Sequence, residues 1–127
     1  MAASEFDRVS PWLQKALEED GGAFSLDDIR AAVESRRAKL LTAPHAAVLL
    51  EVIQYPRFSA LRVVGAGGET GEALEEVRQF AKAVPEIAKA LGLHRYEWRG
   101  RPGWARVLKE LGMTTQVFMF KEVSPNA

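Results

Sequence analysis

Apolar positions recur at spacings of three and four near the N-terminus. The pattern then switches to short, almost continuous apolar runs. Trp12, Leu13, Ala16 and Leu17 form one stripe, and Ser10-Pro11 ahead of it predicts a helix start, with Ser10 as N-cap and Pro11 in the first turn. Residues 1–9 read as a polar, flexible tail, and Asp20-Gly21-Gly22 stops the helix. Ser25 opens a second helix with Asp27 and Asp28 first and Arg36 and Arg37 last, a charge order that suits the helix dipole. Leu26, Ile29 and Val33 are its buried edge.

Lys39–Ala43, Ala46–Tyr55 and Ala60–Val64 are the apolar runs, punctuated by Pro44-His45 and Pro56-Arg57. They predict antiparallel strands covered on both faces. Gly65–Gly71 reads as a glycine-rich loop. Leu74, Val77, Phe80, Ala81, Val84, Ala88 and Leu91 then stay in helical register through Pro85, predicting one long kinked helix that Gly92 ends. Leu93–Trp98 reads as a strand. Trp104, Val107, Leu108 and Leu111 mark a helix face stopped by Gly112, and Thr115–Val123 reads as the last strand before a tail at 124–127. The order is two helices, three strands, a loop, then helix, strand, helix, strand. It predicts a single α/β (α+β) domain over residues 1–127, with a mixed, mostly antiparallel central sheet flanked by helices.

Composition narrows the chemistry. Lys plus Arg and Asp plus Glu both number 17, so the net charge is zero. A protein that grasps bulk nucleic acid is usually basic, so nucleic acid is not favoured as a partner. The absence of Cys excludes thiolate catalysis and Cys-based zinc sites. His45 and His94 are far apart, and no metal site is expected. No apolar stretch approaches the about 20 residues that span a bilayer. The acidic N-terminal stretch does not read as a secretion signal, so a soluble cytoplasmic or packaged protein is expected.

A strand ending in glycines ahead of a helix is a ready anion site, because backbone N–H groups point outward at the helix start. Arg62-Val63-Val64-Gly65-Ala66-Gly67 occupies that place. It resembles the R/Q-x-x-G-x-G/A loop of the GNAT fold, the acetyl-CoA-dependent N-acetyltransferases. The resemblance implies that Arg62, Gly65, Gly67 and Gly68 cradle the pyrophosphate of acetyl-CoA. Those enzymes also carry a tyrosine general acid on the late helix, where Trp104–Met113 offers Leu108, or Lys109 if shifted by one. Gly100-Arg101-Pro102-Gly103-Trp104-Ala105-Arg106-Val107-Leu108 more closely resembles the G-R-x-G-W-x-R-x-L segment of small GNAT-like proteins from bacteriophage and prophage structural gene clusters. Tyr55-Pro56-Arg57 and Val84-Pro85-Glu86-Ile87 fit the same group. That resemblance implies a virion structural or accessory protein, in the virion or the host cytoplasm, without the usual transfer chemistry. Its expected partners are phage structural proteins or further copies of itself, and no cofactor is required.

The alternative is an acetyl-CoA-dependent N-acetyltransferase with Glu51, inside the second strand run, as base and Tyr96 as acid. Arg95, Arg99, Arg101 and Arg106 form a candidate patch for an anion or an acidic partner and carry a third, nucleic-acid-binding reading. Trp104 is expected to anchor its helix in the core. His94, Tyr96 and Trp98 share one strand face that reads as a candidate interface.

Overall fold

The structure is a computed structural model and describes residues 2–19, 23–99, 102–117, 119 and 121–123. Helix α1 spans Ala2–Glu19 and α2 spans Leu26–Glu34. Strands β1 (Ala38–Thr42), β2 (Ala46–Gln54) and β3 (Ser59–Gly68) follow, then α3 (Ala73–Ala90), β4 (Arg95–Trp98) and α4 (Pro102–Lys109). The four strands lie in the order β1-β2-β3-β4. The first two pairings are antiparallel and β3–β4 is parallel, with α3 as the crossover. The mixed, mostly antiparallel sheet flanked by helices agrees with the fold class read from the pattern.

Two helices cover one face of the sheet. Phe6, Val9, Leu13 and Leu17 of α1 and Ile29 and Ala32 of α2 pack on Ala38, Ala47 and Leu49. Val84 and Ala88 of α3 cover Val48, Leu50, Leu61 and Val63 on the other face. A third cluster joins Ala46 to Ala73, Val77 and Ala81 of α3 and to Trp104 and Leu108 of α4. Trp104 is 9 % exposed, the core anchor that its place in the helical stripe predicts. The first half of β2 is buried at five successive residues, and Val52 beyond it is 51 % exposed. Continuous apolarity in β2 therefore marks only the part that helices sandwich.

The N-terminal reading is corrected. Residues 2–9 are the first half of α1, and Ser10-Pro11 is interior to the helix. The stripe runs back through Phe6 and Val9, which are 2 % and 0 % exposed. Pro11 cannot donate to the carbonyl four residues earlier. Next to it, the Ser10 hydroxyl donates to the Phe6 carbonyl at 2.6 Å, one residue before the Asp7 carbonyl that Pro11 leaves without its helix donor. The first turns are also tied down. Arg8 pairs with Glu5 and donates to the carbonyls of Ala43 and Pro44 in the β1–β2 turn, and Arg30 of α2 pairs with Asp7 at 2.8 Å.

α2 begins where predicted, with Ser25 and Asp28 exchanging bonds in a capping box (2.8 and 3.2 Å). It ends at Glu34, short of the Arg36-Arg37 stop read from the sequence, and Arg36 takes a left-handed conformation (φ 65°) just past it. α3 is a single helix through Pro85, as predicted.

Two further expectations fail. The glycine-rich loop is shorter than read, because β3 runs to Gly68 and only Glu69–Glu72 connects it to α3. The last strand is absent among the described residues of 115–123, where Val117, Met119 and Val123 are 82 %, 85 % and 79 % exposed. Asp20–Gly22, Gly100, Arg101, Phe118 and Phe120 of the expected last strand, and the expected tail at 124–127 lie outside the described residues.

Candidate functional site

The sequence candidates divide between two places. The first is a cleft where two parallel strands part. Among the described residues, β4 pairs with β3 from Ala60 to Val63, whereas β3 continues to Gly68. A cleft of about 270 Å³ opens beside that unaccompanied end. Pro11, Trp12 and Lys15 of α1, Ala66–Gly71, Leu74 and Trp104 line it. It adjoins the N-terminus of the 18-residue α3. A crevice at the carboxyl end of strands is where open α/β sheets bind ligands.

A β-bulge shapes this end of β3. Leu49 pairs with Gly65 and Leu50 with Val63, so Val64 is the extra residue. The three glycines there have different reasons to be glycine. A Cβ on Gly67 would lie 2.6 Å from the Trp12 carbonyl oxygen, and one on Gly68 would collide with the His45 carbonyl and the Ala73 side chain. Both residues let backbone and helix approach closely. A Cβ on Gly65 would meet nothing among the described residues. All three pair with β2, so they stand in the ladder and not in a loop.

The helix start is more acidic than a phosphate site normally is. Glu72 is its N-cap without a side-chain bond, and Glu75 and Glu76 sit in the first turn. The connection also consumes donors. Glu69 N–H bonds the His45 carbonyl, and the N–H groups of Glu72 and Ala73 bond Glu69 O. Glu76 is committed to His45, accepting its backbone N–H at 2.7 Å and meeting Nδ1 at 3.1 Å. That hydrogen bond, opposed by burial, holds the imidazole pKa above its ordinary value.

The second place is a polar row across the sheet. Glu51, Arg62 and Glu97 are successive register partners on β2, β3 and β4. Glu51 has the parity of Ala47 and Leu49, so the row lies on the α1/α2 face. Arg62 Nε is 3.0 Å from Glu97 Oε1, and its Nη2 donates to the Tyr55 hydroxyl at 2.8 Å. Tyr55 in turn donates to Glu97 Oε1 at 2.8 Å. Burial pulls the Arg62 pKa down, and Glu97 and Tyr55 more than reverse it, leaving it raised. Arg95 Nε lies 3.1 Å from Glu97 Oε2, an ionic contact without hydrogen-bond geometry, so Oε2 has no hydrogen-bond partner among the described residues.

The structure places Glu51 beside Arg62, yet Arg62 is engaged by Glu97 and Tyr55. Tyr96 is on the opposite face, packed with Trp98 against α3. Its hydroxyl is buried with no hydrogen-bond partner among the described residues, and burial pushes the phenol pKa well up. Candidate base and candidate acid are thus separated by the sheet, and neither lines the cleft.

The arginines have separate settings. Arg95 stacks over Phe58 (5.0 Å) and Tyr55 (5.9 Å). Arg99 is partly buried where β4 ends, and Arg106 is exposed on α4. Arg101 is outside the described residues. Tyr55 and Glu97 were missed as members of a polar cluster. Arg62 inside an apolar run was the available signal, since a buried guanidinium needs a carboxylate partner. No group of His, Asp and Glu suited to a metal occurs among the described residues, and no helix is long and apolar enough to cross a membrane.

The chain matches no protein-family model and no curated protein. It is similar to several solved structures. A possible acetyltransferase from Clostridium difficile 630 superposes with a TM-score of 0.64 at 11 % identity, covering 95 % of this chain and 91 % of that one. A tetramutant of the BH1408 protein from Bacillus halodurans gives a TM-score of 0.63 at 14 % identity, over 97 % and 89 % of the two chains. An acetyltransferase from Trypanosoma brucei gives 0.56 at 13 % identity, over 80 % and 81 %. At such identities the likeness concerns the fold alone, and that fold is GNAT-like.

Proposed function

We propose that this chain is a GNAT-fold accessory or structural protein of a phage or prophage that does not perform acetyl transfer. The observation that carries the reading is the placement of the would-be acid and base. Leu108, at the position where the acid-bearing tyrosine would stand, is 6 % exposed inside an apolar cluster. Tyr96, the substitute acid, lies across the sheet from Glu51. An acid and a base serving one reaction must both reach its reacting atoms. The phage context rests on the Gly100–Leu108 segment of the sequence. Mass spectrometry of purified virions tests it: the protein co-purifies stoichiometrically with the particle, and its absence from virions overturns the structural role.

A second reading, an acetyl-CoA-dependent transferase, is favoured by the cleft at the parting of β3 and β4 and by the space left at Gly65 among the described residues. Calorimetry with acetyl-CoA separates the two parts of this question. Binding without turnover supports a retained cofactor cleft on a silent fold. Binding with amine-dependent release of CoA supports the enzyme.

A further inference from the structure

The fold family implies a pyrophosphate-bearing cofactor, acetyl-CoA, at the passage from β3 to α3. The residues there do not fit a pyrophosphate. Arg62, the expected cation, is held by Glu97 and Tyr55 and does not line the cleft. The bare faces of Gly67 and Gly68 are already filled from within the protein. The Trp12 carbonyl occupies the first, and the His45 carbonyl with the Ala73 side chain occupies the second. Gly65 is clear of such neighbours among the described residues, but it stands in the β2–β3 ladder opposite Leu49.

A helix start holds phosphate through outward-pointing N–H groups and the positive end of its dipole. Both are largely committed here. Glu69 N–H donates to the His45 carbonyl at 2.9 Å, and the N–H groups of Glu72 and Ala73 turn back to the Glu69 carbonyl at 3.0 and 3.1 Å. Glu69, Glu72, Glu75 and Glu76 place four carboxylates about the start of α3. Negative side chains at that end already interact with the dipole, and they repel a further anion. Glu69 lines the cleft itself, where Lys15 is the one cation among the described lining residues. The nearby cations do not offset the excess: Arg8 is engaged by Glu5 and the turn carbonyls, and His45 by Glu76. We propose that Glu69 and Glu72 are specificity-determining residues that exclude phosphate-bearing ligands, CoA among them, from this cleft. The inference stands apart from the separated acid and base. CoA binding by the wild type would overturn it and leave the proposed lack of transfer chemistry intact, since only release of CoA to an amine bears on that.

Calorimetry with inorganic pyrophosphate and with CoA tests the exclusion on the full-length chain. Neither ligand should approach saturation at about 1 mM. The double substitution Glu69→Gln with Glu72→Ser removes both charges and puts a good capping residue at the helix start. It should tighten the binding of both ligands by about tenfold, a gain that added salt diminishes. Glu86→Gln, an exposed position in the second half of α3, should give no gain, which separates the local effect from net charge. Circular dichroism checks that the variants are folded, and the wild-type titration decides the exclusion without them. Saturable binding of either ligand by the wild type below about 1 mM overturns the proposal. A folded double variant that gains no more than Glu86→Gln overturns it as well.

Discussion

Arg62 and Glu97 meet at 3.0 Å across the parallel β3–β4 pair, with their side chains only 22 % and 12 % exposed. This contact, with Tyr55 bridging both partners, fastens the short β4 to the body of the sheet. Removing one member of a largely desolvated pair strands the other. Arg62→Ala should therefore cost about 2–3 kcal/mol, less than for a fully buried pair because some solvent screening remains. Arg62→Lys should recover only part of the loss, since an ammonium cannot reproduce the fork that reaches Glu97 and Tyr55 together. Urea denaturation measures both, and wild-type stability in Arg62→Ala contradicts the assignment.

The glycines of β3 make opposite predictions. Gly67→Ala forces a methyl to 2.6 Å from the Trp12 carbonyl oxygen and must move α1, at a cost of about 1–3 kcal/mol. Gly65→Ala meets nothing among the described residues and should leave the melting temperature nearly unchanged. Any ligand seated over the bulge would, however, be obstructed by that methyl. Equal destabilisation by the two substitutions would remove the distinction.

The first turns of α1 carry core. Phe6 is 2 % exposed, within the cluster that includes Val9, Leu13 and Leu49. Phe6→Ala should destabilise by about 3–4 kcal/mol. Thermal unfolding of this variant checks the correction of the N-terminal tail directly, and a neutral effect would restore the tail.

His45 supplies a pH dependence. Its bond to Glu76 raises the folded-state pKa above the ordinary value of 6.5. A raised pKa means that the folded state holds the proton more tightly. The contribution is therefore fully present below pH 6.5 and is lost as pH rises through the folded value. NMR titration should show the His45 pKa falling towards its ordinary value in Glu76→Gln. The decline in melting temperature above neutrality should shrink in the same variant. An unchanged titration would show that Glu76 does not hold the ring.

The order of elements through α4 was readable because each helix writes its own periodicity and each strand run is bounded by Pro or Gly. The failures came from information that is not local. Phe6 and Val9 look like scattered residues in a polar stretch until the stripe of α1 is extended backwards past Pro11, a residue that marks a helix start as readily as an interior kink. Gly65, Gly67 and Gly68 look like a loop, since glycine counts against a strand. Pairing with β2 and the close approach of Trp12 make them strand residues instead. Thr115–Val123 has the composition of a strand without a partner within the described chain. At the site, Glu51 and Tyr96 are of types able to move protons, but which face of the sheet each occupies depends on register. Arg62 was the more informative residue, and its partners lay 7 and 35 positions away along the chain.

We propose that this GNAT-like fold does not pass an acyl group to an amine. Release of free CoA thiol from acetyl-CoA, followed with purified full-length protein and a panel of primary amines, tests it most directly. The account predicts release no faster than in the protein-free control, for the wild type and for Tyr96→Phe and Glu51→Gln alike. Amine-dependent release that Tyr96→Phe or Glu51→Gln abolishes while the variant remains folded would contradict it.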